Sequence, residues 1–318
     1  MPLPKGPFTD QVVIVSGSNC GIGLEAARHY VQLNAKKVIL AVRNLAAGND
    51  AKNSIEESTK RLDVVEVWDL DMSTSDSVQA FVQRVTTELP RLDVAALNAG
   101  VATIEWTVSP DGFEQTLQVN VISTALLAVL LLPKLYATAD EYGVTPRLSI
   151  TSSGIHEVLP LPEVPQDENV IQWLNTEKHF DTKIGYYQVS KLLEIFYFQE
   201  LAKHIQEREA GKPKVILNLI DPGLCHSNLL RHRESLLFRV IKFLLARSSE
   251  VGSRTIVNAS ENDNFETHGK YLSNCVVFPT AEHVRSDKGK EAQVKIWKEM
   301  HAILHKINPE TAVIVDGQ

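Results

Sequence analysis

The stretch "KIGYYQVSKLLE", residues 183–194, sets two adjacent tyrosines and a lysine in a segment of helical pattern. A phenol can hand a proton to a developing alkoxide. With a pKa of about 10 it does so poorly near neutrality, unless a neighbouring positive charge favours the phenolate. Side chains four apart share a helix face, whereas adjacent ones do not. Tyr187 and Lys191 are four apart and Tyr186 and Lys191 five, so spacing selects Tyr187 as proton carrier and Lys191 as its electrostatic partner. Upstream, "RLSITSSG" offers a hydroxyl that could orient a carbonyl. Ser152 and Ser153 point to opposite faces of an extended segment, so only one of them can serve.

A second set of residues suits a phosphate. "VSGSNCGIG" puts Gly17, Gly21 and Gly23 between a strand pattern and a helix pattern, with Ser18, Asn19 and Ile22 in the same turn. Such a turn lets the backbone approach a pyrophosphate, whose charge then meets the free N–H groups of the helix N-terminus. The spacing is G-x-x-x-G-x-G rather than G-x-G-x-x-G, so the dinucleotide fingerprint is met only loosely. The next strand ends in "LAVRN". A carboxylate there would bond a ribose 2′-hydroxyl and favour NAD, but Arg43 stands in its place. Its permanently charged fork suits a 2′-phosphate, which favours NADPH/NADP over NAD. The alternative is a surface arginine that caps the following helix.

These residues need a frame, and the chain supplies one. "QVVIVSG", "KKVILAVRN", "LDVVEVWDLD", "RLDVAALNAG", "RLSITSS" and "KVILNLIDPG" read as buried strands, with helix patterns between them. The βαβα succession predicts a Rossmann-type α/β fold: one doubly wound, mostly parallel sheet of about seven strands with helices on both faces. No repeat, low-complexity tract or linker divides residues 1–318, which read as one domain. A formal charge of −7 gives no basic footprint for nucleic acid. Three scattered cysteines form neither a disulfide framework nor a metal-ligand set, so no metal site is expected and a reducing, cytoplasmic setting is. The N-terminal segment runs into a strand pattern without a signal peptide's apolar core. "VISTALLAVLLLP" is an apolar run that stops at Pro133, too short to span a bilayer, and reads as a buried helix rather than an integral membrane segment.

Taken together, "SGSNCGIG", "LDMSTSDSV", "LNAG", "VNVIST", "ITSSG", "YQVSK" and "DPGLCHS" resemble the short-chain dehydrogenase/reductase family across nearly the whole chain. The resemblance is greatest to its retinol-dehydrogenase-like and WW-domain-oxidoreductase-like branch, which includes fungal secondary-metabolism reductases. It implies roles position by position. Tyr187 and Lys191 match the family's Y-x-x-x-K pair, and Ser153, the second serine of its motif, matches the catalytic one. Asn120 matches the asparagine that holds a relay water behind the lysine. Asp71 sits where an aspartate contacts adenine. Asn98, Ala99 and Gly100 match the loop beside the adenine ribose. Pro222, Gly223 and Ser227 match the segment over the nicotinamide, with serine in place of threonine. Lys191 would also hold the nicotinamide ribose, and a homodimer is in keeping with the family.

Thirty-three residues separate Ser153 from Tyr187, many more than in compact members. The insertion, 154–184, is rich in proline and acid and reads as a surface excursion beside the cleft, with His156 and Trp173 as candidate substrate contacts. Residues 228–250, "NLLRHRESLLFRVIKFLLARSS" with its flank, read as an amphipathic substrate lid, a pattern also compatible with peripheral membrane contact. "EAQVKIWKEMHAILHKI" reads as a final helix near that lid. The expected activity is NADPH-dependent reduction of the carbonyl of a bulky, largely hydrophobic ketone or aldehyde. A nucleotide-binding scaffold without turnover and a reductase-derived cyclase are the competing classes.

Overall fold

Residues Val12–Ser16 (β1) are apolar with hardly a break and buried throughout, which only a strand covered on both faces can sustain. The computed structural model describes residues 1–180, 185–209, 212–226, 246–261 and 265–316. Among these, Lys37–Val42 (β2), Val65–Asp69 (β3), Val94–Leu97 (β4), Arg147–Thr151 (β5), Ile216–Asp221 (β6), Tyr271–Ser273 (β7) and Val276–Phe278 (β8) complete one eight-stranded sheet. Its order is β3-β2-β1-β4-β5-β6-β7-β8, and every pairing is parallel except β7 with β8. The expected seven strands are therefore eight. The extra one is a three-residue hairpin return on the edge, too short for a periodic signal.

Alternation along each strand divides the core in two. Val12, Ile14, Ile39, Ala95, Leu148 and Leu217 lie on one face, and Val13, Val15, Val38, Leu40, Val94 and Ala96 on the other. The second face is covered by Gly21–Gln32 (α1), Leu45–Thr59 (α2) and Ser249–Glu261 (α7). The first face takes Ser75–Glu88 (α3), Thr124–Tyr142 (α4), Val170–Leu174 (α5) and Tyr186–Arg208 (α6), together with Glu282–Arg285 (α8) and Asp287–Ile307 (α9). Each fully buried aliphatic or aromatic side chain contributes about 1.5–3 kcal/mol.

Four expectations change. The apolar run at 121–132 ends at Pro133, but α4 continues through the proline to Tyr142 and is capped by Gly143 in the left-handed region. Pro133 lies only nine residues into α4, where packing on the sheet offsets the one hydrogen bond that proline removes. The continuous helical stretch Leu117–Tyr142 is apolar and long enough to cross a membrane, yet 78% of its most apolar window is buried inside the protein. The insertion is also no mere surface excursion. Val170, Ile171 and Leu174 of α5 are buried, and the Glu299 carboxylate of α9 accepts the Val170 and Ile171 N–H groups at 3.0 Å each. The lid range 228–250 overlaps α7, which begins at Ser249 and packs on the sheet; residues 227–245, with 181–184 of the insertion, lie outside the described residues. Helix α9 is not the last, since Glu310–Asp316 (α10) follows it, and α9 packs along α6 and α5.

The entry ends of three central strands meet at one residue, Asp93. Asp93 accepts from the Val12 N–H at 2.8 Å and from Arg91 Nε at 2.8 Å, while its own carbonyl accepts from the Arg147 N–H at 2.7 Å. Asp93→Ala should leave the Val12 N–H and the Arg91 guanidinium short of a buried partner and cost about 3 kcal/mol. A lower urea midpoint at unchanged slope is the expected result.

Candidate active site

In an open parallel sheet every strand points the same way, so the loops that follow the strands share one edge. The crevice lies where the winding reverses. Here that reversal falls between β1 and β4. The glycine turn follows β1, Arg43 follows β2, Asn98–Gly100 follow β4, Ser152 and Ser153 follow β5, and Pro222–Gly223 follow β6. Residues spread over two hundred positions are thus brought to one edge.

The glycine turn is built from tight approaches. Gly17 has φ +65°, and a Cβ there would lie 2.8 Å from the Ala99 Cα. A Cβ on Gly23 would meet the Gly17 carbonyl at 2.5 Å. Gly21, also at positive φ, has nothing within 4 Å of its Cβ position, so the chain leaves open space just where α1 begins. No side chain caps α1 and no acid occupies its first turn. A twelve-residue helix with a bare N-terminus beside open space fits an anionic diphosphate. Ser18 is buried and donates to the Val15 carbonyl at 2.7 Å, closing the turn, while Asn19 and Ile22 are partly exposed.

Arg43 is exposed at the end of β2, without a side-chain partner among the described residues. It does not cap α2: the side chain of Asn44 does so, accepting from the Ala47 N–H at 3.0 Å. The capping alternative is thereby removed. Asp71 is half-buried, and its Oδ1 accepts from the Ser73 N–H at 2.9 Å.

The other half of the site is arranged around α6. Asn120 sits in a π-helical stretch, Leu117–Ser123, that runs directly into α4. Such widened turns recur at functional sites because they re-aim one side chain. The Asn120 amide donates to the Val101 carbonyl and to Ser190 Oγ, both at 2.9 Å, and its oxygen accepts from the Val101 N–H at 2.8 Å. The side chain therefore ties the loop after β4 to α6. Lys191 Nζ lies 5.8 Å from the Tyr187 ring centroid, so the two do share a face. It donates to the Thr151 carbonyl and to Glu194 Oε1, both at 2.8 Å.

The serine pair divides as alternation requires. Ser152 is buried and aims its hydroxyl at the Lys191 carbonyl, whereas Ser153 lies on the side of the Tyr187 phenol, whose pKa it draws down, and its Oγ accepts from the Ile155 N–H at 3.2 Å. Tyr186 is buried and donates to the Leu174 carbonyl at 2.9 Å, fastening the insertion. His156 and Trp173 are not free substrate contacts. Ala281 N–H donates to His156 Nε2 at 3.1 Å, which leaves Nδ1–H to donate to the Ser153 carbonyl at 2.8 Å. Burial pushes the His156 pKa down, so the ring is a neutral brace behind Ser153. Trp173 stacks on His179 at 3.9 Å. Asp221 accepts from the Gly223 N–H at 2.8 Å and holds the turn of Pro222 and Gly223, while Ser227 lies outside the described residues.

Electrostatics depart from the expected lowering of the tyrosine pKa. Burial pushes Tyr187 up, the Lys191 ammonium pulls it down, the Glu194 carboxylate pushes it up again, and the net direction is upward. Burial also pushes the Glu194 carboxyl up to about 7, against the pull of Lys191. Burial alone would lower Lys191, but Glu194 and Tyr187 together more than offset it. Sequence reasoning missed Glu194, although an acid inside the apolar run "LLEIFYF" was a signal. It also missed Ser16, whose buried Oγ accepts from the Asn98 N–H at 2.9 Å and the Ala99 N–H at 3.0 Å. A serine before a glycine turn carries no such signal.

A sequence profile of the short chain dehydrogenase family matches residues 11–144. The chain is 43% identical over 312 residues to the short chain dehydrogenase/reductase dmxR8 of Cryptosporiopsis sp., covering 97% of this chain and 95% of that one. It is 42% identical over 277 residues to the short chain dehydrogenase atnD of Emericella nidulans, covering 86% of each. Among solved structures, a short chain dehydrogenase from Shigella flexneri complexed with NADP superposes with a TM-score of 0.61 at 21% identity, covering 85% of this chain and 99% of that one.

Ser16→Ala would strand the Asn98 and Ala99 N–H groups where the loop after β4 meets the glycine turn. A loss of about 1–3 kcal/mol is expected, read as a lower urea midpoint, with faster amide exchange at residues 98–100.

Proposed function

From the premise that this chain belongs to the short-chain dehydrogenase/reductase family, and is an oxidoreductase of that family, we propose that it uses NADPH to reduce the carbonyl of a bulky, largely hydrophobic ketone or aldehyde. The supporting observation is the meeting of one phenol, one hydroxyl and one ammonium, those of Tyr187, Ser153 and Lys191, at the carboxyl edge of the sheet. The reduced nicotinamide, when bound, supplies the hydride that goes to the carbonyl carbon. Tyr187 gives its phenolic proton to the carbonyl oxygen as charge develops there, and Ser153 donates a hydrogen bond to the same oxygen. The Lys191 ammonium favours the phenolate left behind. General acid–base help of this kind contributes on the order of 10²–10⁴-fold.

Arg43 supports NADPH over NADH, since its exposed guanidinium stands where an NAD-selective chain carries an acid. Gly17, Ser18, Asn19, Gly21, Ile22 and Gly23 would hold the diphosphate, Asp71 and Asn98–Gly100 the adenosine side, and Pro222 and Gly223 the nicotinamide side. The hydrophobic substrate class rests on the apolar pattern of "SLLFRVIKFLLARSS". A place in secondary metabolism agrees with the fungal sources of the two relatives.

Tyr187→Phe should lower turnover of a bulky ketone by at least about 10²-fold while NADPH binding, followed by its fluorescence, stays within a few-fold. Near-normal turnover would remove Tyr187 from the chemistry. Arg43→Asp should shift the kcat/KM ratio for NADPH over NADH toward NADH by at least about tenfold, through loss of a charge-assisted pair with the 2′-phosphate. An unchanged ratio would sink the cofactor assignment.

A further inference from the structure

Glu194 lies three residues beyond Lys191 on α6, so its carboxylate reaches the lysine's side of the helix. Its Oε1 accepts from Lys191 Nζ at 2.8 Å, and the two side chains are 1% and 4% exposed. Its Oε2 is buried with no hydrogen-bond partner among the described residues. Its neighbours along the helix, Leu192, Leu193, Ile195 and Phe196, are likewise buried, so this part of α6 is enclosed by protein. Water cannot screen an ion pair in such a place, so the field of each charge reaches its neighbours.

The groups that face Tyr187 come from several elements. Lys191 and Glu194 belong to α6, Ser153 to the loop after β5, Asp221 to the end of β6 and Tyr271 to β7. Of these only Lys191 carries a positive charge, so whatever neutralises Lys191 removes the main pull against burial on the phenol's ionisation. Resting on the reading of Tyr187 as proton carrier, we infer that Glu194 is a positioning residue acting through Lys191. As the fixed counter-ion of the ammonium it weakens the positive field at the Tyr187 phenol, holds the tyrosine in its proton-donating form, and so favours carbonyl reduction over alcohol oxidation.

The upward direction for Tyr187, to which Glu194 contributes, agrees with this assignment. The sign follows from the protonation states. Reduction starts from phenol and oxidation from phenolate, so a carboxylate that raises the pH of phenolate formation raises the pH at which oxidation can begin. Glu194 itself, with its pKa at about 7, is ionised throughout the alkaline range in which the phenol titrates.

The test is a titration that needs no substrate. Tyrosinate absorbance is followed against pH in the full chain, and the trace of a matched Tyr187→Phe protein is subtracted to isolate Tyr187. Glu194→Gln and Glu194→Asn both remove the charge but differ in volume, so that one remains usable where the other does not fold. Both should lower the Tyr187 midpoint by on the order of one pH unit, and Glu194→Asp, which keeps the charge, should stay close to the parent. An unchanged midpoint in the folded neutral variants overturns the inference, as does an aspartate variant that shifts as far as they do. Failure of Tyr187 as proton carrier would appear separately, as retained turnover in Tyr187→Phe.

Discussion

Strand polarity is the constraint on which the rest depends. Seven of the eight strands run parallel, so every loop after one of these strands emerges at one edge, and the backbone groups freed there must find partners among those loops. Ser16, Asn98 and Asn120 supply them: Ser16 binds the two amides that follow β4, Asn98 reaches back to the Ser16 and Gly17 carbonyls, and Asn120 carries the connection on to α6. These polar links tie the glycine turn around Gly21 to the loop after β4, and that loop to the helix that carries Tyr187.

A second consequence concerns charge. Helix α6 is buried nearly all round in its middle, so any ion there needs a partner within the protein. Lys191 meets this demand with the Thr151 carbonyl and Glu194, which together take two of its three N–H donors. The pairing fixes where the ammonium can point, and also how much of its charge the neighbouring phenol feels. Structural satisfaction and acid–base tuning are the same contact.

Some of the site could be read from the residues, and some could not. Gly17, Gly21 and Gly23 announced a tight turn, and the four-residue spacing announced Tyr187 with Lys191, because helical geometry is local. Ser152 against Ser153 could be narrowed to one by alternation, but which one faced the phenol depended on where α6 lay. His156 read as a candidate contact because a histidine near a cleft is visible in sequence; its two fixed hydrogen bonds, to Ser153 and Ala281, are not. The capping role weighed for Arg43 fell to Asn44 for a similar reason, since only backbone direction tells adjacent residues apart at a helix start.

By itself the sequence determined the element order, the parallel sheet, the turn glycines and the shared helix face of Tyr187 and Lys191, all of which follow from short-range periodicity and spacing. Tertiary structure alone decided that Glu299 would cap α5, that α4 would run through Pro133, and that Glu194 would sit buried against Lys191. Those outcomes depend on burial, which sets the cost of an unpaired charge or backbone group and is a property of the packed molecule rather than of any segment of it.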